Sequence, residues 1–458
     1  MKTDPPHILC VNPWIHDFAA FDFWARPLGV LALAAVLRDN NVRVSFLDCL
    51  NRFHPNRTEP PKVDWDGRGP FDKFQIPFPE AMAPHLSDET KAFCRYGIPK
   101  EWAARDLAAF ARKEDRQQYG RPDLILVTSL MTYWATGVAE TIDLVKDVFP
   151  DVPVVLGGIY ATLYEDHARA HSGADHVVVG PGEDQLADLV FAHTGYRLER
   201  VPDPADLDTY PYPALDLQDH LAYAPIQTTK GCPFSCEYCA SDFLEPRMRR
   251  RSPDHVFGEI RHWHDNYGVR NFAFYDDALM IDPERYAFPL FERVIASDLD
   301  LNFHTPNAVH IREITPKAAD LMFRAGFKAI RLGLETADFS PERHHDHKVK
   351  ATEFFRAVDS LLSAGFRRDQ LGAYLLCGLP GQDLDEVETS MDIVRQSGIL
   401  PVLAYYTPIP HTPMWEDAVR HARLDITAHP GLTNNSLYPC VRSAQDLARI
   451  SQLKKNPK

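Results

Sequence analysis

Short apolar runs alternate with helical patterns over the first part of the chain. Five runs have the length and apolar character of buried strands, at residues 7–12, 42–47, 124–127, 152–156 and 176–179. The Ala- and Leu-rich residues 28–37 and the later residues 138–148 are typical of helices. Strands separated by helices predict a Rossmann-like, doubly wound parallel sheet, whose ligands bind at the carboxyl ends of the strands.

This alternation is interrupted twice. Residues 51–122 are rich in Pro, Gly and charge, and they are too long for an ordinary connection. We expect an insertion there, with a helix near residues 101–113, which either covers a ligand site or is a surface excursion without a role. The Pro-rich residues 201–221 predict a linker. The first domain is therefore expected at residues 1–200.

Strands and helices alternate again after the linker. Six strands are predicted at residues 223–228, 271–275, 301–304, 329–334, 373–376 and 402–406, with helices between them. Six successive strand–helix units predict a partial (β/α)6 barrel resembling a TIM barrel, with its working face at the carboxyl ends of the strands. We expect this barrel at residues 222–415 and a C-terminal extension at residues 416–458.

Composition narrows the class of protein. The 458 residues are 45% hydrophobic and 25% charged, which is typical of a globular chain of two or three domains. A formal net charge of −15 disfavours nucleic acid as a partner. No apolar run reaches the roughly 18 residues of a membrane span, and the polar N-terminus lacks the apolar region of a signal peptide. We therefore expect a cytoplasmic protein.

Three of the eight cysteines lie within eight residues of each other. Cys232, Cys236 and Cys239 have the spacing C-x3-C-x2-C, directly after a predicted strand. Three thiolates on one loop can hold three irons of a [4Fe–4S] cluster and leave the fourth iron open to a small molecule. The alternatives are a structural zinc site, which needs a fourth ligand, and a chance grouping of buried thiols.

The cysteine loop, with Tyr238 before its third cysteine, resembles the signature of the radical S-adenosylmethionine (SAM) superfamily. The resemblance implies that the three cysteines are the catalytic metal ligands, that SAM chelates the open iron, and that Phe234 and Tyr238 contribute to cofactor binding. Four later motifs resemble the same superfamily. They contain Asp276 and Asp277 for the SAM amino group, Gly333 and Glu335 for the ribose hydroxyls, the Gly378 turn, and a sixth-strand ending at residues 406–413 in which His411 replaces the usual glycine.

The first domain resembles the cobalamin-binding domain that precedes the barrel in one class of radical SAM enzymes. The similar residues follow the third, fourth and fifth strands, and they are Thr128, Ser129, Gly157, Gly158, Gly180, Gly182 and Glu183. Small and hydroxyl residues at strand ends allow the backbone to approach a corrin ring. The D-x-H-x-x-G motif that supplies a cobalt ligand elsewhere is absent. The alternative is a domain of this fold that has lost the cofactor.

Together these resemblances imply an enzyme that uses a [4Fe–4S] cluster, SAM and cobalamin. The implied reaction forms a 5′-deoxyadenosyl radical for methyl transfer to an unactivated carbon, or to phosphorus, of a small-molecule or lipid-like substrate. A flavodoxin or ferredoxin is the expected electron donor. The alternatives are radical rearrangement or oxidation without methyl transfer, and a non-catalytic sensor. Cys10, Cys49 and Cys94 are either buried structural thiols or ligands of a second cluster.

Overall fold

The computed structural model describes residues 4–111, 120–339 and 349–455. The chain divides into two compact units. Unit 1 comprises Met1–Ala222 and the short segment Thr427–Thr433, and unit 2 comprises Tyr223–Ile426 and Asn434–Lys458. Part of the predicted C-terminal extension therefore belongs to each unit.

Unit 1 alternates strands and helices. In chain order its elements are β1 (His7–Asn12), β2 (Ile15–Asp17), α1 (Leu28–Asp39), β3 (Arg43–Asp48), β4 (Lys73–Gln75), β5 (Cys94–Tyr96), α2 (Lys100–Ala111), β6 (Leu124–Val127), α3 (Ala135–Val148), β7 (Val154–Leu156), α4 (Ile159–Leu163), α5 (Glu165–His171), β8 (His176–Val177) and α6 (Leu186–Thr194).

A five-stranded parallel sheet forms the core of unit 1. Its strand order is β3-β1-β6-β7-β8, and every adjacent pair is parallel. All six residues of β1 and all four of β6 are buried, as expected for central strands that are covered on both faces. The predicted Rossmann-like doubly wound sheet is therefore confirmed.

The predicted insertion contributes a second, smaller sheet. Strands β4 and β5 pair with each other and β5 pairs with β2, all antiparallel. The helix expected at residues 101–113 is described as α2, up to Ala111. The hydrophobic pattern does not predict the small sheet, because strands of three residues are too short to show a period.

Unit 2 continues the alternation. In chain order its elements are β9 (Ala224–Ile226), β10 (Thr229–Lys230), α7 (Ser241–Leu244), β11 (Arg249–Arg250), α8 (Pro253–Tyr267), β12 (Asn271–Phe274), α9 (Ala287–Ser297), β13 (Asn302–His304), α10 (Pro316–Ala325), β14 (Phe327–Glu335), α11 (Ala351–Ser363), β15 (Leu371–Cys377), α12 (Leu384–Gln396), β16 (Leu400–Tyr405), α13 (Trp415–His421) and α14 (Ala444–Lys455).

Six of these strands form one parallel sheet in sequential order, from β9 through β12, β13, β14 and β15 to β16. Each coincides with one of the six predicted strands, so the partial (β/α)6 barrel is confirmed. Helix starts follow local signals: Ser252 and Thr315 cap α8 and α10 through their side chains, each with a proline at the next position. Among the described residues, no helix is long and apolar enough to cross a bilayer.

Candidate active site

The three predicted cluster ligands lie on the loop that follows β10. Strand β10 pairs antiparallel with β11, and this hairpin closes the loop at its base. Gly231 begins the loop with a φ of +81°, and a Cβ added there would lie 2.9 Å from the carbonyl oxygen of Glu245. Only glycine fits this left-handed conformation without strain. Cys236 is buried, whereas Cys232 and Cys239 are half-buried.

The donor set of this loop suits an iron–sulfur cluster. All eight cysteines lie in the described part of the chain, and none forms a disulfide. Across the described ranges, no three His, Cys, Asp or Glu side chains are grouped so that they could hold a single metal ion. Three thiols on one loop fit a [4Fe–4S] cluster, because each thiolate can bind a different iron and the fourth iron is left open.

Two aromatic side chains fix the cysteine loop. Tyr238 packs against an apolar cluster that includes Leu379, Tyr406 and Met414. The backbone of Met414 also donates a hydrogen bond to the carbonyl oxygen of Glu237, at 3.0 Å. Phe234 contacts the ring of His310, with 4.5 Å between ring centroids. The segment that follows β16 thus helps to hold the cysteine loop.

Asp276 anchors the strand that leads into the cysteine loop. Its carboxylate is 3% exposed and accepts hydrogen bonds from the backbone and hydroxyl groups of both Thr228 and Thr229, at 2.6 to 3.1 Å. Burial raises the pKa of Asp276, and these hydrogen bonds oppose the rise. The structure therefore gives Asp276 a positioning role behind the cysteine loop.

Asp277, which follows β12, is connected through Ser241 to Cys239, one of the three predicted cluster ligands. The Ser241 hydroxyl lies 2.9 Å from Oδ2 of Asp277 and 3.2 Å from Sγ of Cys239. The amide of Asn307 lies 3.4 Å from the other carboxylate oxygen of Asp277 and also donates to the Tyr275 carbonyl oxygen, at 3.0 Å. Ser241 was not predicted from the sequence, although its position two residues after the third cysteine could have indicated it.

The end of β14 is distorted at the predicted ribose-binding motif. Glu335 has a φ of +66°, and the register with β15 shifts between Gly333 and Glu335. A bulge of this kind redirects a side chain, and a left-handed non-glycine residue is uncommon outside strained sites. A Cβ on Gly333 would lie 3.2 Å from the Cβ of Ala308 and 3.4 Å from Oε1 of Glu335, so Gly333 lies in close contact with both side chains.

Two later turns complete the carboxyl edge of the barrel. Gln382 closes the Gly378 turn: its side-chain oxygen accepts from the backbone of Gly378 at 2.8 Å, and its amide donates to the Leu376 carbonyl oxygen at 3.0 Å. His411 adopts a φ of +66°, as a glycine would, and its ring stacks on Phe243 with centroids 4.3 Å apart. The turn therefore keeps its left-handed geometry although glycine is absent.

In unit 1, two of the predicted residues pack against each other. The Ser129 hydroxyl donates to the Gly157 carbonyl oxygen at 2.7 Å, and the Ser129 carbonyl oxygen accepts from Ile159 at 2.8 Å. Gly158 has a φ of +100°, and a Cβ there would lie 2.3 Å from the Ser129 carbonyl oxygen. Gly158 and Ser129 thus fix the spacing of two neighbouring strand ends.

Two of the predicted glycines, Gly157 and Gly180, border open space at the same edge of this sheet. A Cβ on Gly157 would lie 3.9 Å from Val178, and one on Gly180 would meet nothing within 4 Å. Glu183 and Gly182 lie in the 3-10 turn that follows, and Thr128 is buried and donates its backbone N–H to Val11 at 3.1 Å. A flat cofactor can approach a backbone that lacks side chains, so this edge fits a corrin.

The three cysteines of unit 1, Cys10, Cys49 and Cys94, are all buried. Cys10 and Cys49 are fully buried, on β1 and directly after β3. Burial raises the pKa of Cys10 to about 12, and it also raises that of Cys49. Metal binding requires the thiolate, which this burial disfavours.

Comparison with known families agrees with this geometry. The model of the radical SAM superfamily matches residues 226–394, and the model of the B12-binding domain matches residues 104–190. An uncharacterized methyltransferase of Pyrococcus horikoshii is 26% identical over 354 residues, which cover 70% of this chain and 74% of the relative. The hopanoid C-2 methylase of Rhodopseudomonas palustris is 24% identical over 373 residues, which cover 77% and 68%.

Solved structures share the fold. The radical SAM methyltransferase TsrM of Kitasatospora setae, with cobalamin and a [4Fe–4S] cluster bound, aligns with a TM-score of 0.64 at 16% identity, over 91% of this chain and 79% of that one. The cobalamin-dependent radical SAM enzyme OxsB aligns with a TM-score of 0.59 at 12% identity, over 99% and 62%.

The resemblance drawn from the cysteine loop is thereby confirmed, and with it the three cofactors: a [4Fe–4S] cluster, SAM and cobalamin. The chain therefore carries a radical SAM domain and, ahead of it, a B12-binding domain.

Proposed function

We propose that this enzyme is a cobalamin-dependent radical SAM methyltransferase that acts on an unactivated carbon of a small-molecule or lipid-like substrate. One observation carries the proposal. The same chain has a three-thiol loop at the carboxyl edge of a partial barrel and an open, glycine-lined edge on a B12-binding sheet. When bound, the cluster supplies the electron that cleaves SAM to methionine and a 5′-deoxyadenosyl radical, and cobalamin supplies the methyl carrier.

The residues of unit 2 divide this work between binding and positioning. Cys232, Cys236 and Cys239 hold three irons and leave one for SAM. Asp276 sets the position of their loop through Thr228 and Thr229. The exposed Asp277 is available to the SAM amino group. In the bulge that ends β14, Gly333 and Glu335 form the ribose site, and the Gly378 turn borders it.

The residues of unit 1 would hold the corrin. The open backbone at Gly157 and Gly180, followed by Gly182 and Glu183, would contribute to this binding. Ser129 and Gly158 keep the ends of β6 and β7 at a fixed separation. Thr128 directly follows β6. We assign this role to residues 1–200 and the radical chemistry to residues 222–415.

The relatives support methyl transfer as the reaction class. The two curated relatives named above are called a methyltransferase and a methylase, and TsrM is called a radical SAM methyltransferase. Bacteriochlorophyllide d and cytidylyl-2-hydroxyethylphosphonate appear in the names of other relatives. These substrates differ widely in chemistry. We therefore propose the reaction class of the relatives for this chain, but not any of their substrates. We place the enzyme in the reducing cytoplasm, with a flavodoxin or ferredoxin as its electron donor.

The test separates the three candidate functions. The protein is purified without oxygen, loaded with iron, sulfide and cobalamin, and incubated with SAM and a low-potential reductant. Formation of both S-adenosylhomocysteine and 5′-deoxyadenosine is the expected result. 5′-Deoxyadenosine alone would favour rearrangement or oxidation, and neither product from the loaded protein would favour a sensor. Cys236→Ala serves as the control that cannot cleave SAM reductively.

A further inference from the structure

The Ser241 hydroxyl is held between a cluster cysteine and a carboxylate. It lies 3.2 Å from Cys239 Sγ and 2.9 Å from Asp277 Oδ2. Ser241 is the first residue of α7, whereas Asp277 follows β12, so two separate segments fix this hydroxyl beside the sulfur. The N-cap residue of α7 is Ala240, whose side chain makes no capping hydrogen bond. The Ser241 hydroxyl is directed to Cys239 and Asp277.

These hydrogen bonds change when the cluster binds, because Cys239 loses its thiol proton. In the metal-free chain the Cys239 thiol can donate to Ser241, and Ser241 can donate to Asp277. A sulfur bound to iron is a thiolate and has no proton to donate. The single hydroxyl proton of Ser241 then faces two acceptors, the sulfur and the carboxylate.

The surroundings of the two acceptors favour donation of the Ser241 hydroxyl proton to the Cys239 sulfur rather than to the Asp277 carboxylate. Asp277 is exposed, so water or the SAM amino group can replace the hydrogen bond that it loses. Its other oxygen also lies 3.4 Å from the amide of Asn307. The hydroxyl needs only to rotate about its C–O bond, because the oxygen is already within hydrogen-bond distance of Cys239.

We propose that, in the loaded enzyme, Ser241 donates its hydrogen bond to the Cys239 sulfur and thereby raises the reduction potential of the cluster. The inference rests on the proposed function, since it requires a [4Fe–4S] cluster at this loop. Reduction adds one electron from the external donor and makes the cluster more negative. A donor at the sulfur stabilises the reduced form more than the oxidised form. Asp277 is a positioning residue in the metal-free chain, where its carboxylate holds the hydroxyl beside the sulfur before the cluster binds.

An isosteric pair of variants tests the proposal. Ser241→Thr keeps the hydroxyl, and Ser241→Val replaces it with a methyl group of similar size. Anaerobically loaded proteins are titrated with a reductant while the signal of the reduced cluster is followed by electron paramagnetic resonance. We expect the valine variant to be harder to reduce. At the wild-type midpoint potential its ratio of reduced to oxidised cluster should fall about fivefold, the effect of one net hydrogen bond. The threonine variant should keep the wild-type ratio.

Ser252→Ala is the matched control. It removes a serine hydroxyl that accepts from the backbone N–H of His255 and caps α8, so the potential of this variant should equal that of the wild type. Equal potentials for the valine and threonine variants would overturn the proposal. Loss of iron from Ser241→Val alone would also overturn it, because that result assigns the serine a structural role. Failure of the wild type to bind about four irons would instead refute the proposed function.

Discussion

At the residue scale, the position of the cysteine loop depends on one buried carboxylate. Asp276 satisfies backbone and hydroxyl donors of two consecutive threonines that lie 47 and 48 positions earlier in the chain. Without this acceptor, the buried N–H and O–H groups of Thr228 and Thr229 would lack partners. An unpaired buried donor destabilises a fold more than a hydrogen bond on the surface stabilises it.

Asp276→Asn is therefore expected to lower the free energy of unfolding by about 2 kcal/mol or more. The new amide group keeps one acceptor oxygen but directs its own N–H groups at the threonine donors. Urea unfolding at neutral pH measures the change. The control is Asp277→Asn, on the exposed neighbour, which should change the free energy by no more than about 0.5 kcal/mol. Equal losses in the two variants would contradict the anchoring role.

At the scale of elements, α5 packs against the short segment Thr427–Thr433 within unit 1. The rings of His167 and His429 lie 4.9 Å apart, and the hydroxyl of the buried Tyr160 lies 2.7 Å from Nδ1 of His167. Burial, together with the charges of His429 and His171, lowers the pKa of His167 to about 3. Burial likewise lowers the pKa of His429 to about 4, with His171 adding to the effect. Both rings are therefore neutral near pH 7.

This contact makes the stability of unit 1 sensitive to acid. Both histidines have a lower pKa in the folded state than the ordinary 6.5, so the unfolded state binds more protons between pH 6.5 and 4. Their contribution is complete above pH 6.5 and is lost as the pH falls toward 4. We expect His429→Gln to lose less stability than the wild type between pH 7.5 and pH 5, as measured by urea unfolding. His262→Gln, in unit 2, should keep the wild-type pH dependence, and a parallel loss in His429→Gln would contradict the assignment.

At the scale of the whole molecule, each unit has its own parallel sheet, and the proposed iron ligands and cobalamin contacts belong to different units. The three cluster thiols lie in unit 2, and the open glycine edge lies in unit 1. Loading of iron and loading of cobalamin should therefore be separable by substitution.

Two sets of variants test this separation. Replacing Cys232, Cys236 and Cys239 together by alanine should abolish iron binding and leave cobalamin binding intact. Gly157→Leu should reduce cobalamin binding and leave iron unchanged, because its side chain extends into the space where we place the corrin. Gly157→Ala is the matched control, since its added Cβ makes only an ordinary contact at 3.9 Å. Metal assays and the visible corrin spectrum measure both outcomes. Loss of both cofactors in either set would contradict the separation.

Much of this architecture follows from local patterns in the sequence. Buried strands and amphipathic helices show their hydrophobic period within a few residues, so both parallel sheets could be predicted. The cysteine spacing is also local, and it is specific enough to indicate the family without knowledge of the fold. The three-residue strands β2, β4 and β5 show no such period, which is why the hydrophobic pattern does not predict the small antiparallel sheet.

Local sequence patterns were thus sufficient to predict the two parallel sheets, the order of their strands along the chain and the chemistry of the cysteine loop. Which side chains meet depends instead on the packed fold: the threonines contact Asp276, Ser241 contacts Asp277, and His429 contacts His167. The difference arises from distance along the chain. A hydrophobic period depends on near neighbours, whereas these contacts join residues on different elements, and they exist only once the strands have packed beside each other.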